Sequence, residues 1–280
     1  MFKYSRPLIV VVILLITGCA KEIDFSLIPG PTTTPIIGGS SECQISGLKA
    51  DLGILGTYDV KFTYDATGKV IKTTSGTDVS NYVYTANSIV MTDQEGEQSK
   101  ITLVNGRASE SVVENFVNEI DIRREYSYNA EGYLVQVKNY AQGGLNSTDE
   151  LTYANGNLVQ SKTTYTVGSS VETTTYEYTS AIAKNVYELF DPVAGHVDYL
   201  PGSYFGKQSK NILSKSSSTI IEPDGKKSFE EVTNYVYVFN SVGYATSFTM
   251  NQTSRYFNPD GSGEDPDTYT TKFDLSYTCK

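Results

Sequence analysis

One phrase returns along this chain and constrains its fold more than any other feature: an aromatic residue, any residue, Tyr, a short turn ending in Gly, then an apolar strand. It reads Phe62-Thr63-Tyr64-Asp65-Ala66-Thr67-Gly68-Lys69-Val70-Ile71, and returns as Tyr126-Ser127-Tyr128-Asn129-Ala130-Glu131-Gly132-Tyr133-Leu134-Val135. A shorter-turn copy is Leu151-Thr152-Tyr153-Ala154-Asn155-Gly156-Asn157-Leu158-Val159, and a late copy runs from Tyr235 to Tyr244. Degenerate copies sit at Tyr82-Val83-Tyr84, Ile101-Thr102-Leu103 and Tyr176-Glu177-Tyr178. The key residue recurs at 64, 84, 103, 128, 153 and 178, a spacing of 19 to 25 residues. That is the length of one hairpin plus its return turn.

Within each copy the pattern has period two. Tyr58, Val60, Phe62 and Tyr64 share one strand face while Asp59, Lys61 and Thr63 share the other, as a half-buried strand requires. Asn105-Gly106, Asn155-Gly156, Pro223-Asp224-Gly225 and Pro259-Asp260-Gly261 are turns with a mechanism, since Asn and Gly accept positive φ and Pro presets the first turn residue. No segment here sustains a helical apolar period beyond two turns. The expected fold is all-β: a long antiparallel meander of about 12 to 16 strands, coiled into an open barrel or curved shell, with minor helix. Tyr235, Tyr237 and Phe239 alternate with Val236 and Val238, which reads as a central strand covered on both faces. Regularity breaks between Tyr178 and Tyr235. Residues 182–213 form a long excursion with room for one short helix around 183–190. Such a stretch is either a functional loop or a plug for the sheet's concavity.

The N-terminal part is organised differently. Lys3 and Arg6 precede an apolar run from Leu8 to Ile16, too short to span a bilayer alone and patterned like a secretory signal peptide. The following Ile16-Thr17-Gly18-Cys19 resembles a bacterial lipobox, which makes Cys19 the expected lipidation site. Two or three acyl chains there anchor a protein stably, at about 0.8 kcal/mol per buried methylene. From Ser26 to Ser41, 12 of 16 residues are Pro, Gly, Ser or Thr, a composition that cannot build a core. The expected organisation is therefore a signal peptide over 1–18, a lipidated tether over 19–42 and one β-hairpin domain over 43–280. Ala20, rather than Asp, follows Cys19, and Lys21, Glu22 and Asp24 come next. By analogy with surface lipoproteins of Bacteroidota this suits export to the outer membrane. Cys43 and Cys279 remain, one at each end of the folded part, and are placed to form a disulfide in an exported protein.

Composition narrows the function. The chain carries 22 Lys+Arg against 32 Asp+Glu, a net charge of −10, so nucleic acid is not an expected partner. Loss of residues 1–18 removes Lys3 and Arg6 and no acid, giving 20 − 32 = −12. The single His196 could act as a base oriented by Asp191 or Asp198, but no nucleophile-elbow Ser accompanies it, and a surface loop histidine is the plainer reading. Asp65, Glu131, Asp224 and Asp260 fall in turns, while Glu114, Glu125, Glu177, Glu230 and Glu231 fall on polar strand faces, so paired catalytic acids are not indicated. Asp260, Glu264, Asp265 and Asp267 concentrate oxygen ligands that calcium accepts, although their spacing completes no EF-hand loop and an exposed acidic loop is the plainer reading. No cofactor is expected. Most of the 22 Tyr serve the repeat. A subset on a concave face, with Tyr204, Phe205 and Lys207 as candidates in the irregular stretch, would suit a ligand platform.

The Tyr-x-Tyr-x-x-x-Gly hairpins resemble YD-type repeats of secreted toxin and adhesion shells, although only Tyr64-Asp65 keeps the Asp. Taken with the lipobox, the Phe205-Gly206-Lys207-Gln208-Ser209-Lys210-Asn211 segment and the Tyr277-x-Cys279 end, the chain over residues 43–280 resembles more closely a group of Bacteroidota lipoproteins of unknown function with a porin-like, open-barrel fold. That resemblance implies no catalytic residues. The expectation is a lipid-anchored outer-membrane protein at the cell surface, attached through Cys19, non-enzymatic, with a glycan or an envelope protein as partner. The alternatives are a structural envelope component without a small ligand, and a surface-polymer hydrolase.

Overall fold

The structure, a computed structural model, describes residues 43–52, 56–114, 122–182, 184, 192–196, 200 and 203–279. The expected signal peptide, lipidation site Cys19 and tether lie outside the described residues, as do all but Lys184 of the residues expected to form a helix around 183–190. The first eight strands are β1 (Cys43–Asp51), β2 (Thr57–Tyr64), β3 (Val70–Ser75), β4 (Asp78–Tyr84), β5 (Ser88–Thr92), β6 (Gln98–Val104), β7 (Arg107–Glu114) and β8 (Ile122–Tyr128). The second eight are β9 (Leu134–Ala141), β10 (Gly144–Ala154), β11 (Asn157–Tyr165), β12 (Val171–Ile182), β13 (Asn211–Ile221), β14 (Lys227–Phe239), β15 (Ala245–Tyr256) and β16 (Asp267–Cys279). Each strand pairs antiparallel with its chain neighbours, and β1 pairs with β16, so the meander closes into a sixteen-strand barrel rather than an open shell. Closure leaves no exposed edge to recruit another sheet. Cys43 lies opposite Cys279 in the closing register, and the two are joined by a disulfide. Among the described residues helix is confined to two 3-10 turns, Pro192–Gly195 and Ser203–Phe205.

The repeated phrase has a mechanical basis. Its key residues close the even-numbered strands: Tyr64, Tyr84, Leu103, Tyr128, Tyr153 and Tyr178 lie at or near the ends of β2, β4, β6, β8, β10 and β12. The pairing register shifts by a bulge immediately before Tyr64, Leu103, Tyr128, Tyr153, Tyr178 and Phe239. A bulge bends its strand and increases twist, which a closing sheet needs at its corners. Tyrosine hydroxyls then secure the preceding strand. Tyr64 donates to Ile45 O at 2.7 Å, Tyr84 to Val70 O at 2.7 Å and Tyr128 to Ala108 O at 2.8 Å. Tyr178 donates to Leu158 O and Tyr277 to Ala245 O, both at 2.7 Å. Each phenol thus buries a ring and satisfies a carbonyl with its polar tip. The turn acids are also accounted for: Asp65 Oδ1 accepts from Thr67 N, Thr67 Oγ1 and Lys69 N, and Asn129 and Asn240 hold the equivalent turns. Asn155 takes φ 53° and Gly156 φ 82°, the left-handed pair of a two-residue hairpin turn.

The apolar face points inward. One cluster gathers Ile45, Leu48, Val60, Phe62, Phe248, Met250, Phe273 and Leu275, and a second gathers Ile89, Ile101, Leu134, Val137, Leu151 and Leu158. Tyr82 on β4 and Tyr176 on β12, halfway round the ring from one another, pack against both clusters. The two clusters therefore meet along the wall at β4 and at β12. The expectation of a central strand covered on both faces fails for β14, since a barrel wall has one buried face and Val238 is exposed on the other.

Candidate functional site

The lumen has two ends of different character. At the end carrying the tyrosine turns, the described residues between β12 and β13 act as a plug: Val193, Leu200 and Phe205 join the second apolar cluster. Lys207 N donates to Gly132 O and Lys210 N to Gly156 O, both at 2.9 Å, while Ser209 Oγ accepts from Leu158 N at 3.0 Å. Gly206 is required where the plug seats, because a Cβ there would lie 2.7 Å from Gly132 O. The platform expected at Tyr204, Phe205 and Lys207 is corrected by this arrangement. Phe205 is buried with its ring edge-on to Tyr126 at 5.2 Å, Tyr204 is half-buried 6.2 Å from the Tyr84 ring, and only Lys207 is exposed, its ammonium 5.4 Å from the Tyr133 ring. A phenyl ring committed to the core offers no face to a ligand.

Toward the opposite end the inner wall turns polar. Register places Val137, Asp149, Thr163, Glu172, Ile220, Phe229 and Tyr256 in one transverse row across β9 to β15. The next row reads Ser161, Thr174, Ser218, Glu231, Ser254 and Asp267, and the one below it Tyr176, Ser216, Thr233, Gln252 and Tyr269. Hydrogen bonds stitch these rows together. Glu172 accepts from Ser218 Oγ at 2.8 Å and from Tyr165 Oη at 2.9 Å, Thr174 Oγ1 donates to Ser218 Oγ at 3.0 Å, and Gln252 Nε2 donates to Glu231. Burial pushes the Tyr165 phenol well above its ordinary value, with the Glu172 carboxylate adding to the shift.

Asp149 is the best-held group of this belt. It accepts from Thr163 Oγ1 at 2.7 Å and Asn139 Nδ2 at 2.9 Å, and pairs with His196 Nδ1 at 3.2 Å. Burial by itself raises the Asp149 carboxyl, but the bonds from His196, Thr163 and Asn139 outweigh it and hold the group below its ordinary value. The reading of His196 as a surface loop residue is therefore corrected: its side chain is 13% exposed and tethers the plug to the β10 wall. Asp191 and Asp198, the orienting acids suggested by sequence, lie outside the described residues. The acids grouped near 260–267 do not converge; among the described residues no group of three or more His, Cys, Asp or Glu is arranged to hold a metal. Asp260 Oδ1 instead closes its own turn by accepting from Ser262 N at 2.8 Å and Ser262 Oγ at 2.6 Å.

Sequence reasoning placed Glu231 on a polar strand face and did not single out Asp149 or Glu172. All three face inward, and parity counted back from the neighbouring aromatic residues is the signal that finds them: Asp149-x-Leu151-x-Tyr153, Glu172-x-Thr174-x-Tyr176 and Phe229-x-Glu231-x-Thr233-x-Tyr235.

The outer wall carries the remaining charge. Lys49, Asp59, Lys61, Lys100, Glu150, Lys162, Lys272 and Asp274 are exposed on strands that bury residues of the opposite parity, and Glu177 is exposed beside the half-buried Tyr176 and Tyr178. Opposite signs face each other across strands, as in Lys215–Glu177 at 2.8 Å and Lys162–Glu150 at 3.8 Å, and Arg123 is held between Glu110 and Glu125 with its guanidinium 4.0 Å from the Tyr140 ring. Exposed pairs of this kind contribute about 0–1 kcal/mol each to stability. Against lipid they are prohibitive, since a membrane barrel needs an apolar outer band about 25 Å tall and each Lys or Arg at its middle costs about 2–4 kcal/mol.

A closed antiparallel barrel whose lumen is plugged and apolar at one end, polar toward the other, and whose exterior is charged is porin-like in topology but not in the polarity of its outer wall. The chain belongs to the family described as a domain of unknown function (DUF4595) with porin-like fold, which matches residues 60–247. Among solved structures it is similar to a porin-like protein from Bacteroides uniformis ATCC 8492, with a TM-score of 0.61 and 19% identity over 85% of this chain and 96% of that one. This likeness speaks for the fold alone. The TcdB2-TccC3-TEV structure overlaps 76% of this chain and 16% of its own at 12% identity and a TM-score of 0.19, and carries no argument. No curated protein matches the chain.

Proposed function

We propose that this protein is a lipid-anchored, surface-displayed binding module of the outer membrane, whose barrel stands in water on its tether rather than spanning the bilayer. The observation that carries this reading is the charged outer wall: Lys61, Lys49 and Lys272 fall mid-strand between buried residues, where a spanning barrel would meet the hydrocarbon. Membrane attachment then falls to Cys19, and the tether between it and Cys43 sets the barrel off the surface. The plugged end argues against a channel, and the polar inner belt at the other end gives the barrel something with which to recognise a partner. Non-enzymatic binding is the reading that suits an Asp149 whose donors are all structural.

The test is fractionation of cells producing the wild type and Cys19→Ala. The wild type should sediment with outer membranes and be cleaved by protease added to intact cells, and Cys19→Ala should be released on carbonate washing. Retention of Cys19→Ala in carbonate-washed membranes would refute the tethered barrel. The filled lumen supports a second reading, a structural envelope component without a small ligand, which would recover only envelope proteins in pull-downs.

A further inference from the structure

We infer that the inner wall opposite the plug is a binding surface for a neutral saccharide; this rests on the binding-module reading above and adds the chemistry of the ligand. Three tyrosines are exposed among the described residues: Tyr58 at 47%, Tyr256 at 48% and Tyr269 at 55%. All three fall on the inward parity of their strands, β2, β15 and β16, which flank β1 at the end away from the plug. The tyrosines of the repeat bury their rings and spend their hydroxyls on backbone carbonyls. These three do neither, although each sits beside a lumen in which a ring can be buried. Tyr256 is also firmly based, 5.0 Å from the Phe229 ring.

The polar groups beneath them match the rings in chemistry. Gln252 lies directly opposite Tyr269 on one side and Thr233 on the other, and its amide reaches the Glu231 carboxylate. Thr233 is 0% exposed, and its hydroxyl has no hydrogen-bond partner among the described residues. A fully buried, unsatisfied hydroxyl costs free energy in a dry wall, and a ligand hydroxyl entering the belt would relieve that cost. An aromatic face with planar amide and carboxylate groups at its edge suits a pyranose, whose C–H face stacks on a ring while its hydroxyls bridge to amide and carboxylate. Inward Glu172, Glu231 and Asp267 and the net charge of −10 disfavour an anionic polymer. The occupant is accordingly a neutral sugar chain.

The experiment uses the barrel from Cys43 to Lys280, whose strands close on themselves. Calorimetric titration with hexamers of maltose-, cellulose-, xylan-, mannan- and β-1,3-glucan-type sugars should give saturable binding to at least one. With no Trp in the chain, tyrosine fluorescence reports the same event. Tyr256→Ala and Tyr269→Ala should each weaken binding about tenfold, and Tyr269→Phe should retain most of it. Tyr140→Ala, on the outer wall, should leave it unchanged. Circular dichroism establishes that each variant is folded, and a variant that is not is replaced by its Tyr→Ser counterpart. Absence of saturable binding to all five hexamers, survival of binding in the Tyr256→Ala/Tyr269→Ala double variant, or preference for a sulfated hexamer would each overturn the inference. None of these results bears on whether Cys19 anchors the protein, so the two readings fail separately.

Discussion

Removal of the Cys43–Cys279 bond tests how much the barrel depends on a covalent clasp at its seam. The bond spans 236 residues, nearly the whole described chain. In the chain-entropy treatment a loop of that length restrains the unfolded ensemble by about 5 kcal/mol at 25 °C. The folded state should lose little by comparison, because β1 and β16 still share eight register pairs from Cys43–Cys279 to Asp51–Lys272. Cys43→Ala/Cys279→Ala should therefore keep its far-ultraviolet dichroism but unfold at a lower urea midpoint. With a slope near ~3 kcal/mol/M the shift is roughly 1.5–2 M. The slope itself should rise, since an unclasped denatured chain exposes more surface. Wild type measured under dithiothreitol should coincide with the double variant. An unchanged midpoint in both would refute the reasoning, because the largest loop the chain can close would then restrain nothing. A loss of native dichroism would refute it differently, by showing that the β1–β16 ladder cannot hold without its bond.

Two further expectations follow from the interior. Asp149→Ala leaves His196, Asn139 and Thr163 without their common acceptor and should cost about 3–5 kcal/mol in urea unfolding. A loss under about 1 kcal/mol would mean that the plug is not tethered through this carboxylate. Because the folded carboxyl is held below its unfolded value, its contribution is present above about pH 4 and fades as pH falls through the folded value. Wild type should accordingly lose more stability than Asp149→Asn between about pH 4 and 2. At the other extreme, burial pushes the phenols of Tyr84, Tyr128, Tyr176 and Tyr277 well above their ordinary value and that of Tyr235 up to about 12. A raised folded value gives stability that is whole below about pH 10 and is lost above it, as the unfolded chain releases protons more readily. Absorbance at 295 nm should show these phenols ionising only together with loss of dichroism. Smooth titration of every tyrosine near pH 10 in a folded protein would contradict their burial.

The fold was legible because the hairpin is a local object. Tyr64, Tyr128 and Tyr153 announce it through aromatic spacing, Asn-Gly pairs and turn glycines, all within ten residues of one another. Closure was less legible, since the pairing of β1 with β16 joins the two ends of the described chain and leaves no local mark beyond Cys43 and Cys279. The inner belt was missed for a related reason. Glu230 and Glu231 are adjacent and alike as letters, yet one faces water and the other the lumen, and only parity with Phe229 and Tyr235 separates them. The Asp149–His196 pair was beyond local reading, because 47 positions part the two residues and the plug alone brings them together. His196 consequently read as a loop residue, and Phe205, in an irregular stretch, read as an exposed ring.

The bulge that precedes most of the strand-end residues of the repeat makes this barrel countable. A unit of 19 to 25 residues carries its own turn and, in the copies at Tyr64, Tyr128 and Tyr178, both a corner bulge and a hydroxyl latch onto the strand before it, so such a unit is self-contained in its pairing. The lumen, however, is filled for one circumference only. Barrel width grows roughly in step with strand number, so one added hairpin would draw the walls away from Val193 and Phe205 and open a water-filled bore. One removed hairpin would leave the plug no room. In this architecture the number of repeats sets whether the plug fills the barrel or leaves a bore beside it.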